Sequence, residues 1–146
     1  YGDLALRILF NRDHVSFGTM MDGGATSLFE CLETEGVGRP RERGTASLNH
    51  PMHAGFAYFL YRCVAGIRPL TPGFGEFEIR PDHFDGIPSA DVTYETPYGT
   101  VAVSFVRRGR ETVYSFRVPV NTTCRFRAGG RSEVYGSGSY TVTVTE

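Results

Sequence analysis

The spacing of apolar residues predicts a long helix in the first half of the chain. In residues 47–66, SLNHPMHAGFAYFLYRCVAG, apolar side chains recur at intervals of three and four residues, which is typical of a helix with one apolar face. The residues on that face are Phe56, Phe59, Leu60, Cys63 and Val64. Pro51 fits the first turn, Ser47 or Asn49 can cap the N-terminus, and Gly66 can end the helix.

Two shorter helices and a loop are predicted before it. The first ten residues contain an apolar run, and we expect a helix there. A short helix is predicted over about residues 24–32, because Asp22–Thr26 supplies two glycines and a hydroxyl, a typical entry into a helix. Residues 33–46 are rich in Gly, Glu and Arg and are predicted to form a loop. Because the chain opens on Tyr1 and an apolar run, we interpret it as a piece of a longer protein.

After Pro72-Gly73 the period changes from helical to alternating. Four clear segments alternate apolar with polar or small residues: 77–81, 90–96, 99–108 and 112–120. Shorter segments follow at 122–127, 131–135 and 140–145, with Gly-rich turns between them. Short strands at this spacing predict an antiparallel β-sandwich. We therefore predict an α+β chain, with helices in residues 1–66 and the sandwich in residues 67–146.

Charge and composition exclude several partners. The 146 residues carry a net charge of -1, whereas nucleic acid or an anionic membrane surface requires a basic excess. The densest basic stretch, Arg39–Arg43, contains a Glu and is predicted to be a solvated loop. No apolar run approaches the length of a membrane span, and no signal-peptide pattern opens the chain. The compartment is left open: cytoplasm, periplasm or the exterior.

Cysteine and histidine spacing predicts neither a metal site nor a cofactor. Cys31, Cys63 and Cys124 are widely separated and lack the spacing of a disulfide framework or a zinc site. His50 and His53 form a His-x-x-His pair, but no third ligand is evident in the sequence. A capping or core role is the better interpretation of this pair.

Glu30 is the most unusual acidic residue of the helical half. It lies between Leu28-Phe29 and Cys31-Leu32, and a carboxylate among apolar residues is costly unless it is paired or functional. The residues alone leave two interpretations, a solvated helical Glu or a working acid. Glycoside hydrolysis would suit a working acid, because it uses two carboxyl groups and often a His that orients sugar hydroxyls. Glu30 and His50 fit two of these roles, while no second acid has a comparable setting.

Several ordered segments resemble one enzyme family. Four segments, taken in their order along the chain, are similar to the C-terminal end of bacterial α-L-rhamnosidases of the inverting type. They are VSFGTMMDGGATSLFE, SLNHPMHAGFAYFLYRCVAGIRPLTPGFGEFEIRP, YETPYGTVAVSF and VPVNTTCRF. The resemblance covers nearly the whole chain. It implies that residues 1–66 are the last helices of an (α/α)6 barrel and that residues 67–146 are a C-terminal β-sandwich. It also implies a substrate that contains L-rhamnose and a proton-donor carboxylate upstream of this chain.

The resemblance also implies roles for individual residues. Glu30 aligns with the general base that activates the hydrolytic water, and His50 aligns with a His that contacts the bound rhamnose. Phe17 and Phe29 stand where the family commonly has Trp, so the stacking on the sugar ring is differently built. With one carboxylate of the pair, the fragment alone is expected to be inactive.

Two other functions are kept beside this one. The sandwich could be a non-catalytic carbohydrate-binding module, with Tyr94 and Tyr98 as the contacts to test, or a structural cap for the helices. Helices separated from a barrel also leave apolar faces without partners. We therefore expect self-association, such as a homodimer, through residues 1–32 and 50–65.

Overall fold

The computed structural model describes residues 1–13, 16–30 and 47–145. They belong to two compact units, Tyr1–Ala57 and Tyr58–Glu146. The helical elements are α1 (Gly2–Phe10), α2 (Phe17–Asp22), a 3-10 helix (Pro51–His53), α3 (Phe56–Phe59), a π-helical turn (Leu60–Val64) and a second 3-10 helix (Pro72–Phe74). Within these described residues, no helix is long and apolar enough to span a membrane.

Helix α2 lies earlier in the chain than the sequence pattern predicted. It begins at a capping box, in which the side chains of Ser16 and Thr19 each accept a hydrogen bond from the other residue's main-chain N–H. It ends at the two glycines, where Gly23 N–H donates to the Thr19 carbonyl and Gly24 adopts a φ of 81°. The prediction of a helix over 24–32 is wrong for its described part, because the glycines end one helix and do not begin another.

The predicted helix over 47–66 is three short pieces. His50, and not Ser47 or Asn49, caps the first piece, which is the 3-10 helix Pro51–His53. Gly55, a weak helix former, separates this piece from α3. The last piece is a π-helical turn, in which Ala65 N–H donates to the Leu60 carbonyl. The apolar period indicated helical backbone correctly but could not distinguish these hydrogen-bonding patterns.

The second unit contains two four-stranded sheets. The eight strands are β1 (Ile67–Pro69), β2 (Glu76–Ile79), β3 (Ser89–Thr96), β4 (Gly99–Arg108), β5 (Glu111–Val118), β6 (Thr123–Ala128), β7 (Arg131–Tyr135) and β8 (Gly138–Thr145). One sheet has the order β1-β2-β6-β7 and the other β3-β4-β5-β8. The predicted sandwich of short strands is therefore present. One pair, β2 with β6, is parallel, and alternation of apolar residues carries no information on strand direction.

Aromatic rings from the two sheets fill the space between them. Phe116 of β5 stacks on Phe126 of β6 with ring centroids 5.1 Å apart, and Tyr114 meets the same Phe126 ring edge-on at 5.3 Å. Phe77, Ile79, Val101, Cys124 and Phe126 have no exposed surface. In β4, β5, β6 and β8 the buried residues are those that the two-residue period places on one face of the strand.

Gly66 joins the π-helical turn to β1 and ends the helix as predicted. It adopts a φ of 76°, in the left-handed region that favours glycine. A Cβ atom at this position would lie 2.1 Å from Pro81 N and 2.2 Å from the Arg80 carbonyl carbon. Gly66 is therefore required both for its backbone conformation and for the close approach of the chain at residues 80–81.

Candidate active site

Two segments of the first unit, 27–30 and 47–50, are hydrogen-bonded side by side. His50 N–H donates to the Leu28 carbonyl at 2.7 Å, and Glu30 N–H donates to the Ser47 carbonyl at 2.8 Å. Ser27 Oγ–H donates to the Leu48 carbonyl at 2.6 Å. The two segments are far apart in the sequence, yet these bonds place the backbones of Glu30 and His50 on adjacent segments.

The Glu30 carboxylate is held by a main-chain donor. Its Oε2 accepts the N–H of Ser47 at 2.9 Å, and the residue is half-buried. A hydrogen bond to an ionised carboxylate is stronger than one between neutral groups, so this contact orients the side chain. Glu30 lies outside the helices and strands of the described residues, contrary to the helical position that the sequence pattern indicated.

A main-chain N–H two residues along the chain fixes the orientation of the His50 ring. Its Nδ1 accepts the N–H of Met52 at 3.0 Å. An imidazole nitrogen that accepts a hydrogen bond carries no proton, so the neutral ring has its proton on Nε2. The half-buried His50 therefore presents Nε2–H as a hydrogen-bond donor.

The two candidate aromatic residues differ in exposure. Phe29 is 5% exposed and belongs to the core of the first unit. Phe17, at the start of α2, is half-buried, and its ring lies 5.0 Å from that of Phe56 and 6.1 Å from that of His53. Phe17 thus offers more ring surface to a ligand than Phe29 does.

His53 contacts Glu30, which sequence reasoning did not anticipate. Its Nε2 lies 3.0 Å from the Glu30 carbonyl oxygen. The sequence had singled out His53 only as the second member of a weak His-x-x-His pair. No group of three His, Cys, Asp or Glu side chains that could hold a metal occurs within residues 1–13, 16–30 and 47–145.

The described residues also form two surface depressions with other linings. One is lined by residues of α1 and the turn after it, among them Leu4, Arg7 and Ile8. The other lies on the outer face of β4, β5 and β8 and includes Ser104 and Ser115. Neither is lined by Glu30 or His50, so the hydrogen-bonded segments 27–30 and 47–50 define the candidate site.

Two ion pairs of the second unit are structural contacts. Arg68 lies 3.4 Å from the Asp82 carboxylate, and the buried Glu78 lies 3.5 Å from Arg127. Burial, followed by the charge of Asp82, raises the pKa of the Cys63 thiol. Burial raises the pKa of Cys124 to about 12. Such thiols are poor nucleophiles at neutral pH.

The two tyrosines proposed for a binding module differ in their contacts. Tyr94 is half-buried, and its ring lies 5.4 Å from the ring of Tyr61 and 5.1 Å from that of Phe74. Tyr98 is 45% exposed. Cys31 and the predicted loop over 33–46, which includes Arg39–Arg43, lie outside the described residues.

Comparison with known proteins identifies similar sequences and folds. A family model described as the bacterial alpha-L-rhamnosidase C-terminal domain matches residues 66–139. An alpha-L-rhamnosidase of Formosa agariphila is 32% identical over 123 residues, which is 82% of this chain and 12% of the relative. An alpha-L-rhamnosidase of Streptomyces avermitilis is 30% identical over 124 residues, which is 83% of this chain and 12% of the relative.

A solved structure matches almost the whole chain. The crystal structure of the Streptomyces avermitilis alpha-L-rhamnosidase complexed with L-rhamnose has a TM-score of 0.83 and 27% sequence identity. The match covers 98% of this chain and 16% of that one. The chain thus spans 12% of the length of the two curated relatives described above.

Proposed function

The chain belongs to the family of the bacterial alpha-L-rhamnosidase C-terminal domain, and on this premise we propose that it is part of a glycoside hydrolase acting on α-L-rhamnosides. The enzyme removes terminal α-L-rhamnosyl residues from an oligosaccharide or glycoside, with inversion at the anomeric carbon. The observation that carries the proposal is the ordered Glu30 carboxylate on a segment hydrogen-bonded to that of His50.

Glu30 acts in this proposal as the general base. It removes a proton from a water molecule whose oxygen bonds to the anomeric carbon, on the face opposite the leaving group. The bond to the glycosidic oxygen breaks, and a carboxylic acid protonates that oxygen as it leaves. Ser47 N–H engages Oε2, which assigns Oε1 to the proton transfer. The proton-donating acid comes from a part of the enzyme outside residues 1–146.

His50 and the aromatic residues bind the sugar in this proposal. The Nε2–H of His50 donates to a rhamnose hydroxyl, because the bond from Met52 N–H commits Nδ1 as an acceptor. The half-buried Phe17 packs against the apolar face of the sugar ring. Phe29, which is 5% exposed, is the secondary contact.

The same proposal assigns the two parts of the chain to two domains of the enzyme. Residues 1–66 are the last helices of an (α/α)6 catalytic barrel, and residues 67–146 are the C-terminal β-sandwich. Because the second carboxyl group is supplied elsewhere, the isolated 146 residues are inactive on an aryl α-L-rhamnoside. A non-catalytic binding module is not favoured as the identity of the chain, because the relatives it matches are named as glycosidases.

Helix α1 supports the further proposal that the isolated chain self-associates. Leu4 and Ile8 lie one helical turn apart and are 50% and 59% exposed, and Phe10 is 60% exposed. An apolar face of this kind favours association in water. Sedimentation velocity at rising concentration is expected to show a dimer, and Leu4→Glu with Ile8→Glu should restore the monomer. A monomeric wild-type chain at high concentration would contradict the proposal.

The catalytic proposal is tested in the full-length protein that contains this chain. Glu30→Gln keeps an oxygen that accepts the Ser47 N–H and removes the base. We expect hydrolysis of an aryl α-L-rhamnoside to fall about a thousandfold, within the range that general-base catalysis contributes. Glu95→Gln on β3 is the matched control, since Glu95 is exposed. Wild-type activity that survives Glu30→Gln would overturn the role of Glu30. The absence of rhamnosidase activity in the wild type would overturn the proposal that α-L-rhamnosides are the substrates.

A further inference from the structure

The imidazole of His53 holds the peptide group that follows Glu30. Its Nε2 lies 3.0 Å from the Glu30 carbonyl oxygen. A carbonyl oxygen only accepts hydrogen bonds, so Nε2 carries the proton and donates it to this bond. The ring is half-buried and lies at 83° to the ring of Phe17. One polar and one aromatic contact therefore fix the orientation of His53.

The backbone of Glu30 depends on such contacts. Glu30 lies outside the helices and strands of the described residues, so no regular ladder of hydrogen bonds fixes its peptide planes. Within the described part of the chain, its N–H donates to the Ser47 carbonyl, its Oε2 accepts the Ser47 N–H, and its carbonyl accepts from His53. Ser47 therefore restrains the residue on one side of Cα, and His53 restrains it on the other.

The bonding of the two histidines also explains their spacing in the sequence. His50 uses Nδ1 to accept the Met52 N–H, and His53 uses protonated Nε2 to donate to Glu30. The two histidines of the pair therefore have opposite hydrogen-bonding roles: His50 accepts a bond at the start of a helix, and His53 donates a bond to Glu30.

We propose that His53 is a positioning residue for the general base. This proposal rests on the role of Glu30 proposed above. The His53 bond holds the Glu30 carbonyl in place and so restrains the backbone from which the carboxylate projects. Misplacement of a catalytic group by about 1 Å costs about 100-fold in rate. Because Glu30 removes the proton of the attacking water only in the transition state, the loss falls on kcat and leaves KM nearly unchanged.

The test compares two substitutions of His53 in the full-length protein. His53→Phe keeps a ring of similar shape against Phe17 and has no donor. His53→Gln places an amide N–H near the position of Nε2 and can restore the bond. We expect His53→Phe to lower kcat about 100-fold on an aryl α-L-rhamnoside, with KM nearly unchanged and the Tm retained. His53→Gln should recover most of the lost rate. His83→Phe, in the second unit, is the matched control and should keep the wild-type rate.

The outcomes separate this proposal from the proposed function. If Glu30→Gln is inactive and His53→Phe keeps the wild-type kcat, the positioning role is overturned and the base remains. If Glu30→Gln keeps the wild-type rate, both are overturned. Equal losses of kcat in His53→Phe and His53→Gln would also overturn the positioning role, because the donor would then be irrelevant.

A measurement without substitutions covers the case in which His53→Phe does not fold. Long-range proton–nitrogen NMR spectra of the 146-residue chain, labelled at its histidines, report which ring nitrogen carries the proton. We expect the Nε2–H tautomer for His53, with its proton protected from exchange by the bond to Glu30. The Nδ1–H tautomer at His53 would overturn the proposal, since Nε2 could not then donate.

Discussion

The main-chain N–H of Ser47 lies 2.9 Å from Oε2 of Glu30, across a separation of 17 residues in the sequence. The same two residues are joined by a second bond, from Glu30 N–H to the Ser47 carbonyl at 2.8 Å. Together these bonds close a ring between the two backbones and one side chain. The carboxylate orientation is thus set by backbone geometry.

Removal of the Ser47 N–H is predicted to impair catalysis. Ser47→Pro deletes the donor, whereas Ser47→Ala keeps it and deletes only the hydroxyl. In the full-length protein we expect Ser47→Pro to lower kcat at least about tenfold, since a hydrogen bond to a charged group is worth about 1.5–3 kcal/mol. Ser47→Ala should lose far less. Steady-state kinetics on an aryl α-L-rhamnoside checks this, and equal rates for the two variants would contradict it.

The substitution His50→Asn tests the proposed sugar contact of His50 separately from its role as a helix cap. Asparagine is a good N-cap and its side-chain oxygen can accept the Met52 N–H, but it lacks the Nε2–H donor. We expect KM to rise about tenfold, the cost of one hydrogen bond of about 1.4 kcal/mol, with little change in Tm. Kinetics and thermal unfolding of the same preparation provide both readouts. An unchanged KM would show that His50 acts only as a cap.

Gly66→Ala is predicted to destabilise the second unit by about 3 kcal/mol or more. A left-handed non-glycine residue costs about 1–2 kcal/mol, and the new Cβ would overlap Pro81 N at 2.1 Å, which forces the backbone to move. Gly86→Ala is the matched control, because a Cβ there meets nothing within 4 Å. Chemical denaturation measures both variants, and equal stabilities would contradict the clash.

Native Cys63 and Cys124 are predicted to resist alkylation. Burial raises the pKa of Cys124 from 9.0 to about 12, so its thiolate fraction at pH 8 is about a thousandfold below that of an ordinary thiol. Cys63, whose pKa burial also raises, should react slowly. Iodoacetamide labelling with mass spectrometry, before and after denaturation, tests this. Rapid labelling of native Cys124 would contradict it.

The same shift sets the sign of a pH effect on stability. Native Cys124 keeps its proton to about pH 12, while the unfolded thiol loses it near pH 9. Its contribution to stability is therefore complete below about pH 9 and is lost as the pH rises from about 9 to about 12. Cys124→Ala should remove this part of the alkaline loss of stability.

The sequence predicted those features of the fold that depend on the local spacing of apolar residues. Alternating residues such as Val101, Val103 and Phe105 become the inner face of β4, because a strand turns successive side chains to opposite faces. The helical period over 47–66 indicated helical backbone but not its break into three pieces. That break depends on which carbonyl each N–H meets, and apolar spacing does not encode this choice.

The sequence proposed members of the candidate site but gave none of its geometry. Glu30 stood out because a carboxylate among Leu28, Phe29 and their neighbours demands a partner, and the resemblance to a known family added His50. His53 carried no signal beyond its distance of three residues from His50. Its contact with Glu30 bridges 23 positions, and no local pattern encodes such a contact.

By itself, the sequence determined the order of helices before the main strands, the inward face of alternating strands such as β4 and β5, and the residue types available for acid–base chemistry. These follow from the two- and four-residue periods of regular backbone and from side-chain chemistry. Only the tertiary structure decided that β2 pairs with β6 in parallel and that Ser47 and His53 reach Glu30 from opposite sides. Those contacts join residues remote in sequence, and their partners are selected when apolar burial brings distant segments together and their backbone N–H and carbonyl groups must find each other.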